Sequence, residues 1–207
     1  MSPSLSQSAI GTGRRSNSRK ARLRQATASP CQRPGTGSPP STECPPVSGY
    51  PPGTPVIMIA AGTGLAPFRG AIADRRALTA SGAQLPTALC YFGCDGPDTD
   101  YLYADELREA ERAGAVSMRP VFSHAPVDGL RFVQHRIAAE SAEVWELLEA
   151  GARVHVCGDG ARMAPGVRDA FRELYVRNTP GADEAAAESW LQELTARGRY
   201  VEDVYAG

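Results

Sequence analysis

The sequence predicts an α/β domain built on a doubly wound parallel sheet, with a disordered tail in front of it. Three observations carry this. The strand-like runs are apolar on both faces, as expected of parallel strands covered on both sides. They alternate with helical segments that stop at glycines. Each run also ends in small or polar residues, as at Gly62-Thr63-Gly64, Gly93-Cys94, Ser123-His124 and Cys157-Gly158-Asp159. On such sheets ligands bind beyond the carboxyl ends of the strands.

The elements follow in order. Thr54-Pro55 opens a strand over Val56-Ile57-Met58-Ile59-Ala60. After the glycine turn a helix runs from about Pro67 to Ala80, since proline is favoured just inside a helix start. Gly82 ends it. The second strand covers Ala88 to Gly93, and a polar turn from Asp95 to Asp100 leads to a helix near Tyr103–Ala113. The third strand is Val116–Phe122. Helical segments near Phe132–Ala139 and Ala142–Glu149 lead to a fourth strand, Val154-His155-Val156-Cys157. Helices over about Ala164–Val176 and Asp183–Ala196 follow, the second with apolar contacts from Trp190, Leu191 and Leu194. Tyr200–Val204 is a short last strand.

Composition separates two parts. Residues 1–54 carry seven basic groups, one acid, nine prolines, ten serines and six glycines, with no Phe or Trp. Such a stretch cannot offset chain entropy by burial, so residues 1–53 are expected to be disordered. It reads as a plain tail or a misplaced start, as an Arg- and Ser-rich transit segment, or as a basic arm for an acidic partner. Residues 55–207 hold 15 basic and 22 acidic groups, and the whole chain has a formal charge of −1. No global basic field favours nucleic acid. Five thinly spread cysteines argue against a disulfide scaffold and for reduced thiols in the cytoplasm. No cysteine pair has zinc spacing beside a histidine, so no metal is expected. The longest unbroken apolar run, Val56–Ala61, is far short of a membrane span.

The strand ends supply the candidate site. Gly62-Thr63-Gly64 can bring backbone N–H groups to a pyrophosphate, with a helix N-terminus behind them and the Thr63 hydroxyl beside them. It is neither a P-loop nor a full dinucleotide fingerprint, because Pro67 stands where a third glycine would be. Ser123 is a phosphate donor by its position. Arg131 follows in a loop able to fold back, and Gln134 begins a helix. Taken singly, Arg131 also reads as a solvated charge, Gln134 as a helix cap, Cys157 as a core thiol, and Tyr205 as an aromatic packed on the sheet edge.

Together these segments resemble the NADPH-binding C-terminal module of diflavin reductases, within the ferredoxin–NADP reductase superfamily. The likeness is strongest to self-sufficient fusions of cytochrome P450 with its reductase. It rests on Pro55–Ile59 running into Gly62–Gly70, Tyr91-Phe92-Gly93-Cys94, Asp100–Tyr103, Phe122-Ser123, Val133-Gln134-His135, Cys157–Gly160 with Met163-Ala164-Pro165, and Gly198-Arg199-Tyr200 with Asp203–Gly207. It covers residue 54 to the C-terminus. The resemblance implies a ferredoxin–NADP-reductase-type nucleotide-binding domain over 54–207. It also implies hydride transfer from nicotinamide C4 of NADPH to N5 of FAD, the cofactors carrying the redox chemistry. It assigns Thr63 to the pyrophosphate, Ser123 to the 2′-phosphate and Gln134 to the adenosine segment. Gly62, Gly64, Pro67, Gly158, Asp159 and Met163 belong to motifs bordering the cofactor. Cys157 and Asp203 match the pair at the nicotinamide–flavin contact, and Tyr205 matches the aromatic that covers the flavin.

Departures from the family pattern carry further expectations. His124 stands where an Arg usually grips the 2′-phosphate, and Leu130 and Phe132 replace a Lys and a Tyr; Arg131 is placed to compensate. Asp95 replaces a common Arg. A lost charge-assisted hydrogen bond costs about 1.5–3 kcal/mol, so weakened preference for NADPH over NADH is expected. Help from protonated His124 would make NADP affinity fall as pH rises through neutrality. The family's flavin-binding motifs do not occur, so FAD is expected from a separate domain or flavoprotein partner, with a P450 or other haem protein as indirect acceptor. The expected activity is that of a P450-reductase-type oxidoreductase module. The alternatives are a catalytically silent truncated dinucleotide-binding domain and an interaction protein acting through the basic tail.

Overall fold

The computed structural model describes residues 53–205. The expected tail therefore lies outside the described residues except for Gly53, as do Ala206 and Gly207. The chain runs β1 (Val56–Ala61), a 3-10 turn (Gly62–Leu65), α1 (Ala66–Ala80), β2 (Ala88–Cys94), α2 (Ala104–Arg112), β3 (Ser117–Phe122), α3 (Val133–Ala139), α4 (Ser141–Glu149), β4 (Arg153–Asp159), α5 (Met163–Asn178), α6 (Glu184–Ala196) and β5 (Tyr200–Tyr205).

All five strands are parallel, in the order β3-β2-β1-β4-β5. The chain builds outward from β1 to one side, then crosses to build the other half. The switch point therefore falls between β1 and β4, where ligands gather on open α/β sheets. Alternate residues of the central strands feed two cores. Ile57, Ile59, Leu89, Tyr91, Val154 and Val156 face α3, α4, α5 and α6, through Ile137, Val144, Phe171 and Leu191 among others. Val56, Met58, Ala60, Cys90 and Phe92 face α1 and α2, through Phe68, Ile72 and Leu107. Burial on both faces explains why period 2 is missing from the sequence.

The expected elements are all present, and their ends shift for local reasons. Gly62–Leu65 tightens into a 3-10 turn, so α1 starts at Ala66 and takes Pro67 into its first turn. β4 continues past Cys157 to Asp159, because β5 pairs with it as far as Asp159 opposite Tyr205. The Asp183 carboxylate accepts the Ala186 N–H at 2.8 Å and caps α6. Pro120, which has no N–H to donate, sits in β3 at the sheet edge. Beside it a polar knot pins the α3–α4 junction. Glu140 accepts from the Tyr91 hydroxyl at 2.9 Å, from Arg119 at 3.0 Å and from Arg136 at 2.8 Å. No helix among the described residues is long and apolar enough to cross a membrane.

Candidate functional site

The carboxyl ends of β1, β2, β3 and β4 open onto one cleft of about 610 Å³. Its walls come from Ala61 and Gly62 after β1, Gly93, Cys94, Asp95 and Asp100 around the end of β2, Ser123 and His124 after β3, and Asp159, Arg162 and Met163 at the β4–α5 junction. Residues 131–134, at the start of α3, complete it.

The end of β2 is organised by one carboxylate. Asp100 accepts the backbone N–H of Asp95 at 2.8 Å and of Gly96 at 2.9 Å. Desolvation opposes its ionisation, but these N–H groups outweigh it and hold Asp100 below the usual carboxylate range. Burial, reinforced by the Asp100 and Asp95 carboxylates, pushes the neighbouring Cys94 up to about 12, so it stays a thiol. The β2–β3 pairing then continues past the strands: Ser123 N–H donates to Cys94 O and His124 N–H to Asp95 O, both at 2.9 Å. This places the Ser123 hydroxyl 2.8 Å from Asp95 Oδ1, to which it donates. His124 Nε2 lies 4.0 Å from the same oxygen.

Arg131 arrives by a tight turn. Asp128 and Gly129 both take positive φ, +52° and +77°, and Leu130 N–H donates to Val127 O at 2.9 Å. This is the mirror-image turn that Asp-Gly favours. It returns the chain so that Arg131 Nε donates to Ser123 O at 3.0 Å. Among the described residues no carboxylate pairs with Arg131, whereas Arg162 lies 3.5 Å from Asp159. Gln134 is not a helix cap, since Phe132 holds that position. It lies against α5, where a Cβ on Gly166 would stand 2.9 Å from its Nε2.

A second grouping sits where β1, β4 and β5 meet. Cys157 and Asp203 are directly paired across β4 and β5, so they share a sheet face. Cys157 is buried and Asp203 exposed. Two residues on, the Tyr205 ring is half-exposed and its hydroxyl lies 3.1 Å from Thr63 Oγ1. A Cβ on Gly64 would run into the Cys157 carbonyl, and one on Gly158 would stand 3.1 Å from Ala61 O. The cleft thus takes Gly62, Ser123, His124, Arg131, Gln134, Asp159 and Met163. The second grouping takes Thr63, Gly64, Cys157, Gly158, Asp203 and Tyr205. Pro67 does neither: it is exposed in the first turn of α1.

Sequence reasoning did not single out Arg162 or the organising role of Asp100. An Arg after Gly-Asp-Gly at a helix start was a signal for the first, and Asp128-Gly129 was an unread signal for the turn that returns Arg131. The Asp100 contacts needed the folded loop.

A cleft at the switch point of a parallel sheet, with the first residue of a glycine turn on its wall, has the form of a dinucleotide site. Similarity to known proteins agrees. Residues 58–169 match the family described as the oxidoreductase NAD-binding domain. The chain is 43% identical over 156 residues to a bifunctional cytochrome P450/NADPH–P450 reductase of Bacillus subtilis, covering 75% of this chain and 15% of that protein. It is 43% identical over 158 residues to a self-sufficient cytochrome P450 monooxygenase of Oidiodendron maius, covering 73% and 14%. With the human NADPH–cytochrome P450 reductase it shares 37% identity over 153 residues, covering 74% and 22%. The chain therefore spans less than a quarter of the length of these relatives. Since the matched segment runs from β1 into α5 and includes every strand end that walls the cleft, this chain belongs to the oxidoreductase NAD-binding domain family.

Proposed function

We propose that this domain binds NADPH or NADH across the carboxyl edge of its sheet and presents the nicotinamide for hydride transfer to FAD. The flavin is supplied by a further domain or a flavoprotein partner, and the electrons pass on to a P450-type haem acceptor. One observation carries the reading. The cleft and the Cys157–Asp203–Tyr205 grouping meet at the glycine turn, so one extended ligand can touch both.

In this reading the Gly62–Gly64 turn and Thr63 hold the pyrophosphate, and Ser123, His124, Arg131 and Gln134 hold the adenosine end. Gly158, Asp159 and Met163 form the wall between them. Bound NADPH supplies a hydride. The chain's part is to orient the nicotinamide beside Cys157 and Asp203 and to move Tyr205 aside. Cys157, buried at the end of β4, is a small side chain that a planar ring can approach without a clash. In this reading the protein works in the cytoplasm, where cysteines stay reduced.

The test has two steps. Calorimetric titration of the full chain with NADP⁺ and with NAD⁺ is expected to give saturable binding. Mixing with a separately produced FAD domain of a P450 reductase is then expected to give NAD(P)H-dependent flavin reduction. No binding of either nucleotide overturns the reading, and binding without flavin reduction leaves a silent dinucleotide-binding domain.

The Thr63–Tyr205 contact gives a further expectation. Either hydroxyl can donate in this pair; with Thr63 as the donor, its one hydroxyl hydrogen is withheld from a pyrophosphate until Tyr205 leaves. Tyr205→Phe removes one exposed hydrogen bond, of about 0.5–1 kcal/mol. NADP⁺ and NAD⁺ are both expected to bind about 2- to 5-fold more tightly. Unchanged affinity for both would show that Tyr205 does not hold the Thr63 hydroxyl back from the nucleotide.

A further inference from the structure

We propose that this domain carries a second ligand site, between α5, α6 and the edge strand β5, which takes an uncharged, largely apolar molecule bearing a hydroxyl and recognises it through Tyr200. The site is separate from the cleft at the strand ends and does not depend on the dinucleotide reading.

Tyr200 opens β5 and is only 3% exposed. Its hydroxyl is the single buried side-chain polar atom among the described residues that has no hydrogen-bond partner. Such a group costs stability until something pairs with it. Tyr200 lines a cleft of about 640 Å³, within the range of small-molecule sites. Strand alternation fixes the side of the sheet. Tyr200 and Glu202 share the face that α5 and α6 cover, whereas Asp203 and Tyr205 take the other.

The charges around this cleft are already matched. Arg168 donates to both oxygens of Glu202, at 2.8 and 2.6 Å. Arg172 donates to Glu188 at 2.7 Å and to Asp169 at 2.6 Å. A charged ligand must break one of these pairs, and an uncharged one need not. Burial, reinforced by the Glu202 carboxylate, raises the Tyr200 phenol above its ordinary value, so it keeps its proton and can donate. The charges that act on it, from Glu202, Arg168 and Arg172, put the hydroxyl at their corner of the cleft. Leu191, Ala196 and the Tyr200 ring supply apolar surface there. Gln192 spends an amide N–H on Glu188 at 2.8 Å, which leaves its carbonyl oxygen to accept a ligand's own O–H. Arg168 is 37% exposed at its side chain and can yield. An apolar body wedged among these long side chains then brings an oxygen to the Tyr200 hydroxyl.

The test uses the full chain and two probes that differ by one oxygen, 4-methylphenol and toluene, titrated by ligand-observed NMR. 4-Methylphenol is expected to bind saturably and at least about fivefold more tightly than toluene, within the worth of one buried hydrogen bond. Tyr200→Phe is expected to erase that preference and to keep the parent's Tm within about 3 °C, since a hydroxyl without a partner has little to lose. Ala196→Trp, at an exposed position on the cleft wall, is expected to abolish binding of both probes. Saturating NADP⁺ is expected to leave 4-methylphenol affinity unchanged. The proposal is overturned by no saturable binding of 4-methylphenol, by a smaller preference over toluene, or by a preference that survives Tyr200→Phe. Binding that persists in Ala196→Trp or is displaced by NADP⁺ overturns it too, by placing the probe elsewhere. So does a larger fall in Tm for Tyr200→Phe, which would show the hydroxyl already paired. Failure of NADP⁺ itself to bind overturns only the dinucleotide reading.

Discussion

Gly64→Ala is expected to destabilise the domain by about 3 kcal/mol or more, at the upper end for overpacked sites. Gly64 sits in the 3-10 turn after β1, directly on the backbone of β4. A Cβ there would stand 2.1 Å from Cys157 O, 2.6 Å from the Cys157 carbonyl carbon and 2.9 Å from Gly158 Cα. These are backbone atoms of a strand that pairs with β1 on one side and β5 on the other, so they have nowhere to move. The turn must lift instead, taking Thr63 away from Tyr205 and opening the sheet's switch point. For a domain of this size the cost corresponds to a fall in Tm of roughly 6–12 °C, with loss of nucleotide binding. Gly70→Ala is the control. Nothing lies within 4 Å of a Cβ at that position in α1, and alanine there is expected to be neutral or stabilising by about 0.5–1 kcal/mol. Thermal unfolding of the two variants checks the contrast, and a Gly64→Ala protein as stable as its parent would sink the argument.

Acidification from pH 6.5 to 4 is expected to remove on the order of 3 kcal/mol of stability through His155 alone. The side chain is fully buried in β4, between Met58 of β1 and Val201 of β5. Desolvation, with Arg153 adding to it, lowers its pKa to about 4. An unfolded histidine titrates near 6.5. Between the two values the unfolded chain binds a proton that the folded protein refuses. Stability is therefore fully present above about pH 6.5, declines as pH falls, and reaches its full loss near pH 4. Carboxylates held in their ionised form, such as Asp100 and Glu188, act only lower, as pH falls through their own depressed values. The window from about pH 6.5 to 4.5 thus reports the histidine. Denaturant unfolding at stepped pH is expected to show a slope approaching one proton there, and His155→Gln is expected to flatten it. A parent protein of constant stability across that window would contradict the expectation.

Much of the fold was legible because it depends on neighbours close in sequence. Val56–Ala61 is apolar without alternation, which only a strand covered on both faces tolerates. Gly82, Gly114 and Gly151 each lie just past a helix end, in the left-handed region where glycine is cheapest. The strand-end residues were legible for the same reason, since each apolar run stops at small or polar residues. Element ends were less legible. β4 extends to Asp159 only because β5 is there to pair with it, and no property of Gly158 or Asp159 announces that. Of the site, Gly62, Ser123, His124 and Arg131 were found as strand-end or loop residues, but Arg162 and the clamp by Asp100 were not. Their roles are contacts rather than residue types.

The sequence by itself determined which segments become strands and helices, and which polar residues stand at the strand ends. Those properties follow from local periodicity, helix-ending glycines and the polarity of a few adjacent side chains. Only the tertiary structure decided which ends become neighbours. The order β3-β2-β1-β4-β5 brings Asp95 to Ser123, 28 residues later, and Thr63 to Tyr205, 142 residues later. Such partnerships depend on how strands pair after each crossover, and on the packing of two faces at once. No window of sequence contains that information, because the energy that selects the arrangement is shared among elements far apart in the chain.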